Sequence, residues 1–343
     1  MAAYTDTDAG ASERKKDHIE LAFRSRVPAE SLDDRFYYEP LFDAHPVADD
    51  AVPFPFLGKQ MQTPIWVSSM TGGTTWAKTI NQNLARACGE FGMGMGLGSC
   101  RSLLTSKAAL ADFAVRTYMP EQPLYANLGV AQVEQLLDTQ TVDRIFEMIH
   151  WLDADGLIIH INPMQEAMQP EGDRFKQSPL ETIQAFLEVS QQKIPLIVKE
   201  VGQGMGPESL RALLRLPLAA LDFGASGGTN FALLELLRHQ EQYKEVFQPL
   251  AQIGHTAQEM AQWTQALIEE LGRACRCQHI IASGGVRSFL DGYYLTQKIP
   301  LPAVYGQASA FLRHARGDYQ ELRQFVAWQV QGLQLAQTFL RVR

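Results

Sequence analysis

From Pro64 to the end of the chain one unit recurs: a short β-rich run, a glycine or polar junction, then a stretch with helical spacing. The runs read as strands at 64–68 (PIWVS), 93–97 (MGMGL), 124–127 (LYAN), 156–161 (GLIIHI), 195–199 (PLIVK), 219–223 (AALDF), 279–282 (HIIA) and 302–305 (PAVY). Strands alternating with helices predict a parallel sheet, and about eight of them predict a (β/α)8 TIM barrel. A chain of 343 residues, 46% hydrophobic, suits two ordinary domains or one embellished barrel. The repeat decides for the barrel.

The helices carry their own signals. Ser178-Pro179-Leu180-Glu181 is a capping box with proline at the first helical position, followed by Leu180, Ile183, Phe186 and Leu187 at helical spacing. Gly206-Pro207-Glu208 starts another, and 319–341 reads as a long terminal helix with Leu322, Phe325, Val326, Leu333 and Phe339 facing inward. Upstream, residues 1–13 are small and polar and predict a disordered tail, leaving 14–343 as one barrel domain with an N-terminal capping segment. The basic run Arg14, Lys15, Lys16, Asp17, His18 precedes Ile19, Leu21, Ala22 and Phe23, a short amphipathic segment able to dock with its basic end projecting. The proline-rich stretch 27–62 lacks periodicity and predicts irregular structure wrapped over the body.

Several function classes drop out. A net charge of −8 argues against a general nucleic-acid or membrane-surface binder, because both need a basic face. Cys88, Cys100, Cys275 and Cys277 form no CxxC pair and read as reduced thiols. No apolar run approaches the ~18 residues of a membrane span, and the N-terminus lacks the apolar centre of a signal peptide. A cytoplasmic protein is expected.

In a parallel barrel the carboxyl ends of the strands carry the active site. Those ends are Ser68-Ser69-Met70-Thr71-Gly72-Gly73, Gly98-Ser99-Cys100-Arg101, Asn127-Leu128-Gly129, His160 to Glu166, Lys199-Glu200-Val201-Gly202, Gly224 to Thr229, Ser283 to Arg287, and Gly306 to Ser309. The fourth is richest, with His160, Asn162, Gln165 and Glu166 close together. Pro163, Pro170 and Gly172 predict a loop there rather than a helix. A polar cluster after a strand also serves as a plain solvated connection. The glycine clusters suit phosphate, since bare backbone amides approach its oxygens closely, and barrels commonly build such a site after their last two strands. Their plainer role is tight turning. Lys199 would bring a cation into the mouth, for a Schiff base or beside an electron-rich ring. Phosphate grip on one side with Ser, Met, Thr and Asn groups on the other suits flavin mononucleotide (FMN), and other phosphorylated ligands meet the same description.

Together these stretches resemble the type 2 isopentenyl-diphosphate delta-isomerases, FMN-dependent barrels. The resemblance runs from RKKDHIELA at 14–22 through SSMTGG at 68–73, GLGSCR at 96–101, NLG at 127–129, HINPMQE at 160–166 and PLIVKEVGQGM at 195–205 to GGTNF at 227–231, ASGGVRS at 282–288 and GQASAFL at 306–312. The N-terminal Arg-Lys together with HxNxxQE is its specific part, because other flavin barrels share the glycine loops. The chain departs from the pattern at Gly224-Ala225 and at IGHT, 253–256.

The resemblance implies FMN contacts from Ser68, Ser69, Met70, Thr71, Ser99, Asn127, Lys199 and Thr229, with a phosphate cradle of Gly284, Gly285, Val286, Arg287, Ala308 and Ser309. It implies substrate held by Arg14, Lys15, Ser99, Cys100, Arg101 and Gln165, Mg²⁺ on Glu166, and catalytic roles for Gln165, His18 and His160. The reaction implied is an allylic proton shift between isopentenyl and dimethylallyl diphosphate, with reduced FMN as acid and base and NADPH only to reduce it. A homo-oligomer, a tetramer or octamer, is implied as well. The competing readings are an FMN barrel oxidoreductase acting on a hydroxy acid or nucleotide, and a non-catalytic phosphate-ligand binder. Fold alone decides between none of these.

Overall fold

The computed structural model describes residues 11–47, 52–69 and 75–343. Eight parallel strands close into a barrel: β1 (Ile65–Val67), β2 (Gly94–Gly96), β3 (Leu124–Gly129), β4 (Gly156–Ile161), β5 (Leu196–Glu200), β6 (Ala220–Asp222), β7 (Ile280–Ser283) and β8 (Ala303–Gln307). They neighbour one another in chain order, with β8 pairing to β1. All eight expected strands are present.

Strand pleating divides the apolar residues between two cores. Trp66, Tyr125, Ile158, Ile197, Ala220, Ile281 and Val304, one from each of seven strands, form a cluster inside the barrel. Their chain neighbours, such as Leu124, Leu157, Ile159, Leu196 and Val198, join the larger core beneath the helices. Because successive residues face opposite ways, strands covered on both faces read as continuous apolar runs, as GLII and PLIV do.

The helical signals hold. Ser178 accepts from the Glu181 amide at 3.3 Å while the Glu181 carboxylate accepts from the Ser178 amide at 2.9 Å, closing the box at the head of the Pro179–Val189 helix. The terminal helix runs Tyr319–Phe339 and buries Leu322, Val326 and Leu333. It ends earlier than its apolar pattern implied, since Leu340–Val342 pairs antiparallel with Phe36–Tyr38.

Other expectations are corrected. Residues 27–62 are not simply irregular: Phe54–Phe56 and Lys59–Met61 form a hairpin that inserts Phe56, Leu57 and Met61 into the inner barrel cluster. Its turn places Leu57 and Gly58 at φ 52° and 76°. Ala11–Leu21 is a helix, so it begins inside the segment expected as tail; residues 1–10 lie outside the described residues. Ile19 (73% exposed), Leu21 and Phe23 do not dock. Crowded into little more than one turn, they form no stripe along the helix.

Candidate active site

The inner cluster locates the working layer. Two residues beyond each of its members, on the same strand face, stand Ser68, Asn127, His160, Lys199, Asp222, Ser283 and Gly306, all at the carboxyl end of the barrel. The parallel register pairs Gly129 with His160, His160 with Lys199, and Lys199 with Asp222. Six polar side chains and Gly306 thus form one layer above a floor of Trp66, Tyr125 and Ile158.

Two cavities share this layer. A larger one of about 490 Å³ is lined by Ser68, Ser69, Lys199, Thr229, Gly284, Gly285, Val286, Arg287, Ala308 and Ser309, all expected FMN residues. A smaller one of about 150 Å³ is lined by Ser69, Ser99, Asn127, His160, Gln165 and Lys199. Ser69, Lys199, Val201 and Phe231 line both. Met70 and Thr71 lie outside the described residues.

The larger cavity is built for close backbone approach. Gly284 and Gly285 have φ of 91° and 70°, and a Cβ on Gly284 would fall 2.0 Å from the Ala225 carbonyl oxygen. Gly224, where the family pattern was departed from, has φ 53° and would place a Cβ 1.9 Å from the Glu200 carbonyl oxygen. Glycine is therefore required by this backbone. The second departure, at 253–256, meets the barrel through main chain: the Ser226 amide donates to the His255 carbonyl, and the His255 amide to the Gln203 carbonyl, both at 2.8 Å. Two residue identities matter there as well: a Cβ on Gly254 would fall 2.7 Å from the Gln203 carbonyl oxygen, and Thr256 caps the Ala257–Leu271 helix in a box with Glu259. Sequence reasoning missed Arg313, which lines the cavity four residues after Ser309. That helical spacing was the available signal.

Buried charges are arranged around Lys199. Its ammonium donates to the Glu200 carbonyl at 2.6 Å. Asp222 is fully buried; burial raises its carboxyl above the usual range, opposed by Lys199 and by the Ser283 hydroxyl that donates to it. The Glu200 carboxyl is likewise raised by burial, although Oε2 accepts amides from Gly202, Gln203 and Gly204 at 2.7, 2.7 and 2.8 Å. The Ser68 and Ser69 hydroxyls are buried with no hydrogen-bond partner among the described residues. Orphaned hydroxyls, a glycine cradle and a buried cation in one cavity fit a phosphorylated planar cofactor such as FMN.

In the smaller cavity, Asn127 Oδ1 lies 2.8 Å from His160 Nδ1 while Asn127 Nδ2 donates to the Leu97 carbonyl at 2.9 Å. The amide is thereby oriented, so Nδ1 carries the proton and Nε2 keeps its lone pair. Burial, and then the nearby Lys199 ammonium, pull the imidazole down to about 4. His160 is neutral at ordinary pH.

The expected loop after β4 is instead a short helix, Pro163–Met168. Proline fits its first position, where no intrahelical N–H is needed, so Pro163 starts the helix rather than preventing it. One turn places Asn162, Gln165 and Glu166 together: Asn162 Nδ2 donates to Gln165 Oε1 at 3.1 Å and to Glu166 Oε1 at 2.8 Å. Gln165 Nε2 points to Glu235 Oε1 at 3.3 Å. Neither Asn162 nor Glu235 was singled out for a role. Both are almost fully buried polar residues, a property that sequence does not display.

The remaining residues are dispersed. Arg101 and Glu166 follow lining residues Ser99 and Gln165 by two and one positions but line neither cavity. The Cys100 thiol turns into the helix-side core, donates to the Gly98 carbonyl at 3.3 Å and is pushed up to about 12 by burial, so its side chain lines neither cavity. Arg14, Lys15 and His18 sit on the exposed first helix and line neither cavity. Among the described residues no three His, Cys, Asp or Glu side chains gather as a metal cage. All four thiols are free.

The barrel resembles solved mandelate oxidase structures. One with a monooxide FMN adduct is 13% identical with a TM-score of 0.55, covering 90% of this chain and 88% of that one. Another with benzaldehyde is 13% identical with a TM-score of 0.56, covering 90% and 87%. At that identity the likeness concerns the fold. No protein-family model matches. Among curated proteins, isopentenyl-diphosphate delta-isomerases from Rickettsia felis and Rickettsia typhi are 34% and 33% identical, over 88% of this chain and 85% and 86% of theirs. With that identity over nearly its whole length, the chain belongs to the isopentenyl-diphosphate delta-isomerase family.

Proposed function

We propose that this enzyme interconverts isopentenyl and dimethylallyl diphosphate with reduced FMN in the larger cavity, substrate in the smaller one and Mg²⁺ at Glu166. The observation that carries the reading is the shared wall: a glycine-lined cavity and the polar His160–Gln165 chamber meet at Ser69, Lys199, Val201 and Phe231. When bound and reduced, FMN supplies acid–base capacity and an electron-rich face for cationic character in the substrate.

The chain's own residues do the rest. Gly284, Gly285 and Ser309 would hold the cofactor phosphate, and Lys199 would stand beside the ring. Arg14, Lys15, Ser99, Arg101 and Gln165 would hold the diphosphate, with Glu166 as the one protein carboxylate that Mg²⁺ needs when phosphate oxygens and waters complete its octahedron. Neutral His160 and the Gln165 amide would orient the reacting carbons without titrating. Val201 and Phe231 would keep out water, which would trap a tertiary cation. His18 would assist from the N-terminal helix as that segment closes over the diphosphate. NADPH as the reductant, a cytoplasmic setting and a homo-oligomer, tetramer or octamer, belong to the same reading. No helix of the described residues is long and apolar enough to cross a membrane.

The test is turnover of isopentenyl diphosphate by purified protein with Mg²⁺ and FMN. Product should form in many-fold excess over reductant consumed. One reductant spent per product would make it an oxidoreductase, and binding without turnover would make it a phosphate-ligand binder.

A further inference from the structure

Asp173 joins the arginine assigned to the diphosphate and the glutamate assigned to the metal. Its Oδ2 accepts from Arg101 Nη1 at 3.1 Å, and its backbone amide donates to Glu166 Oε2 at 2.7 Å. The contact is built rather than incidental. The Asp173 side chain is only 18% exposed against 58% for Arg101. Gln132 Nε2 also donates to Asp173 Oδ2, at 2.8 Å, and Gln132 is itself fixed by the Gly129 amide at 3.1 Å. The loop arrives there through Gly172, where a Cβ would fall 2.0 Å from the Glu166 carbonyl oxygen.

We propose that Asp173 is the resting counter-ion of Arg101 and makes the site select the magnesium complex of a diphosphate over the bare anion. The proposal rests on the reading of Arg101 and Glu166 given above. A guanidinium grips a phosphate best through paired N–H donors. In the unloaded enzyme one of those donors is spent on Asp173. A bare diphosphate must displace that carboxylate and also meets the negative charge of Glu166 beside it. A magnesium diphosphate brings the cation that Glu166 accepts, so the same repulsion is offset before Arg101 changes partner. Asp173 thus acts as a positioning residue that sets the order of preference without touching the reacting carbons.

The experiment is calorimetric titration of the FMN-loaded enzyme with inorganic diphosphate, with Mg²⁺ present and with it chelated. Asp173→Asn keeps the shape and one acceptor but removes the charge. It should tighten metal-free diphosphate by roughly two- to fivefold, the factor an exposed ion pair is worth. The magnesium complex should gain less, so the ratio of the two affinities falls. In an Arg101→Ala background the gain should vanish, and Asp173→Glu should retain the parent's ratio. Retained FMN affinity reports an intact barrel; if Asp173→Asn loses it, Asp173→Ser is measured in its place and should change the ratio in the same direction. An unchanged ratio, or weaker metal-free binding, while the parent still depends on Arg101, overturns the proposal and leaves the proposed function standing. Parent binding that ignores Arg101→Ala overturns the placement of the diphosphate, and this proposal with it.

Discussion

His160 and Asn127 share a hydrogen bond of 2.8 Å from ring Nδ1 to amide Oδ1, on strands β4 and β3. That bond fixes the neutral tautomer, and burial holds the ring at about 4. The folded value lies below the ordinary 6.5, so the folded protein resists protonation that the unfolded chain accepts. This group's stabilising contribution is fully present above about 6.5 and is lost as pH falls toward 4. The ring should therefore show no NMR titration between about pH 5 and pH 8. His160→Gln should flatten the acid-side decline in stability relative to the parent. A ring titrating near its ordinary value would remove the neutral-His160 argument.

Glu166 accepts from Asn162 Nδ2 and from the Asp173 amide, one on each carboxylate oxygen. The group is held in place yet has lone pairs left for a cation. Glu166→Gln should raise the Mg²⁺ concentration needed for half-maximal activity and weaken substrate binding, while FMN affinity, to which Glu166 contributes no cavity-lining group, stays unchanged. Metal dependence identical to the parent's would show that Glu166 is not the ligand.

Most of the fold and much of the site are legible in the sequence, for a physical reason. A barrel strand buried on both faces is a short apolar run, so GLII and PLIV declare themselves, and the polar residue that ends each run marks the mouth. The hairpin at Phe54–Met61 was not legible, because prolines mask its period and only the barrel floor gives Phe56 and Met61 their burial. The Pro163–Met168 helix was hidden by a residue that both starts and breaks helices. Asp173 and Glu235 were overlooked as partners because each matters through a hydrogen bond to a residue some seventy positions away, Arg101 and Gln165. Pairwise contacts of that kind leave no periodic trace.

Arg14 tests the N-terminal segment. Charge-assisted hydrogen bonds contribute about 1.5–3 kcal/mol each, so Arg14→Ala should cost one to two powers of ten, roughly, in substrate affinity by the same range. Removal of residues 1–10, ahead of the first helix, should cost little. If that truncation proves as damaging as Arg14→Ala in the same binding assay, the segment supports the fold instead of gripping diphosphate.

Gln165 is the residue to which the proposed reading assigns the orienting role in the smaller cavity. Its oxygen is held by Asn162 and its nitrogen faces Glu235 Oε1 at 3.3 Å, so the amide is oriented before any substrate arrives. It lines the same chamber as Lys199 and His160, and it cannot titrate near neutral pH. On the proposed reading its contribution would lie in aiming the substrate, or in passing a proton along fixed hydrogen bonds. Losing one well-aimed polar group in an active site typically costs about 2.7–4 kcal/mol of barrier. Gln165→Ala should accordingly lower kcat on the order of a hundredfold or more, by that range, with FMN and Mg²⁺ affinities unchanged. A glutamine that merely braces the short helix would instead lower thermal stability and leave turnover near the parent's. Measuring kcat at saturating substrate with fully reduced flavin, alongside Tm, separates the two; near-parental turnover would take Gln165 out of the mechanism.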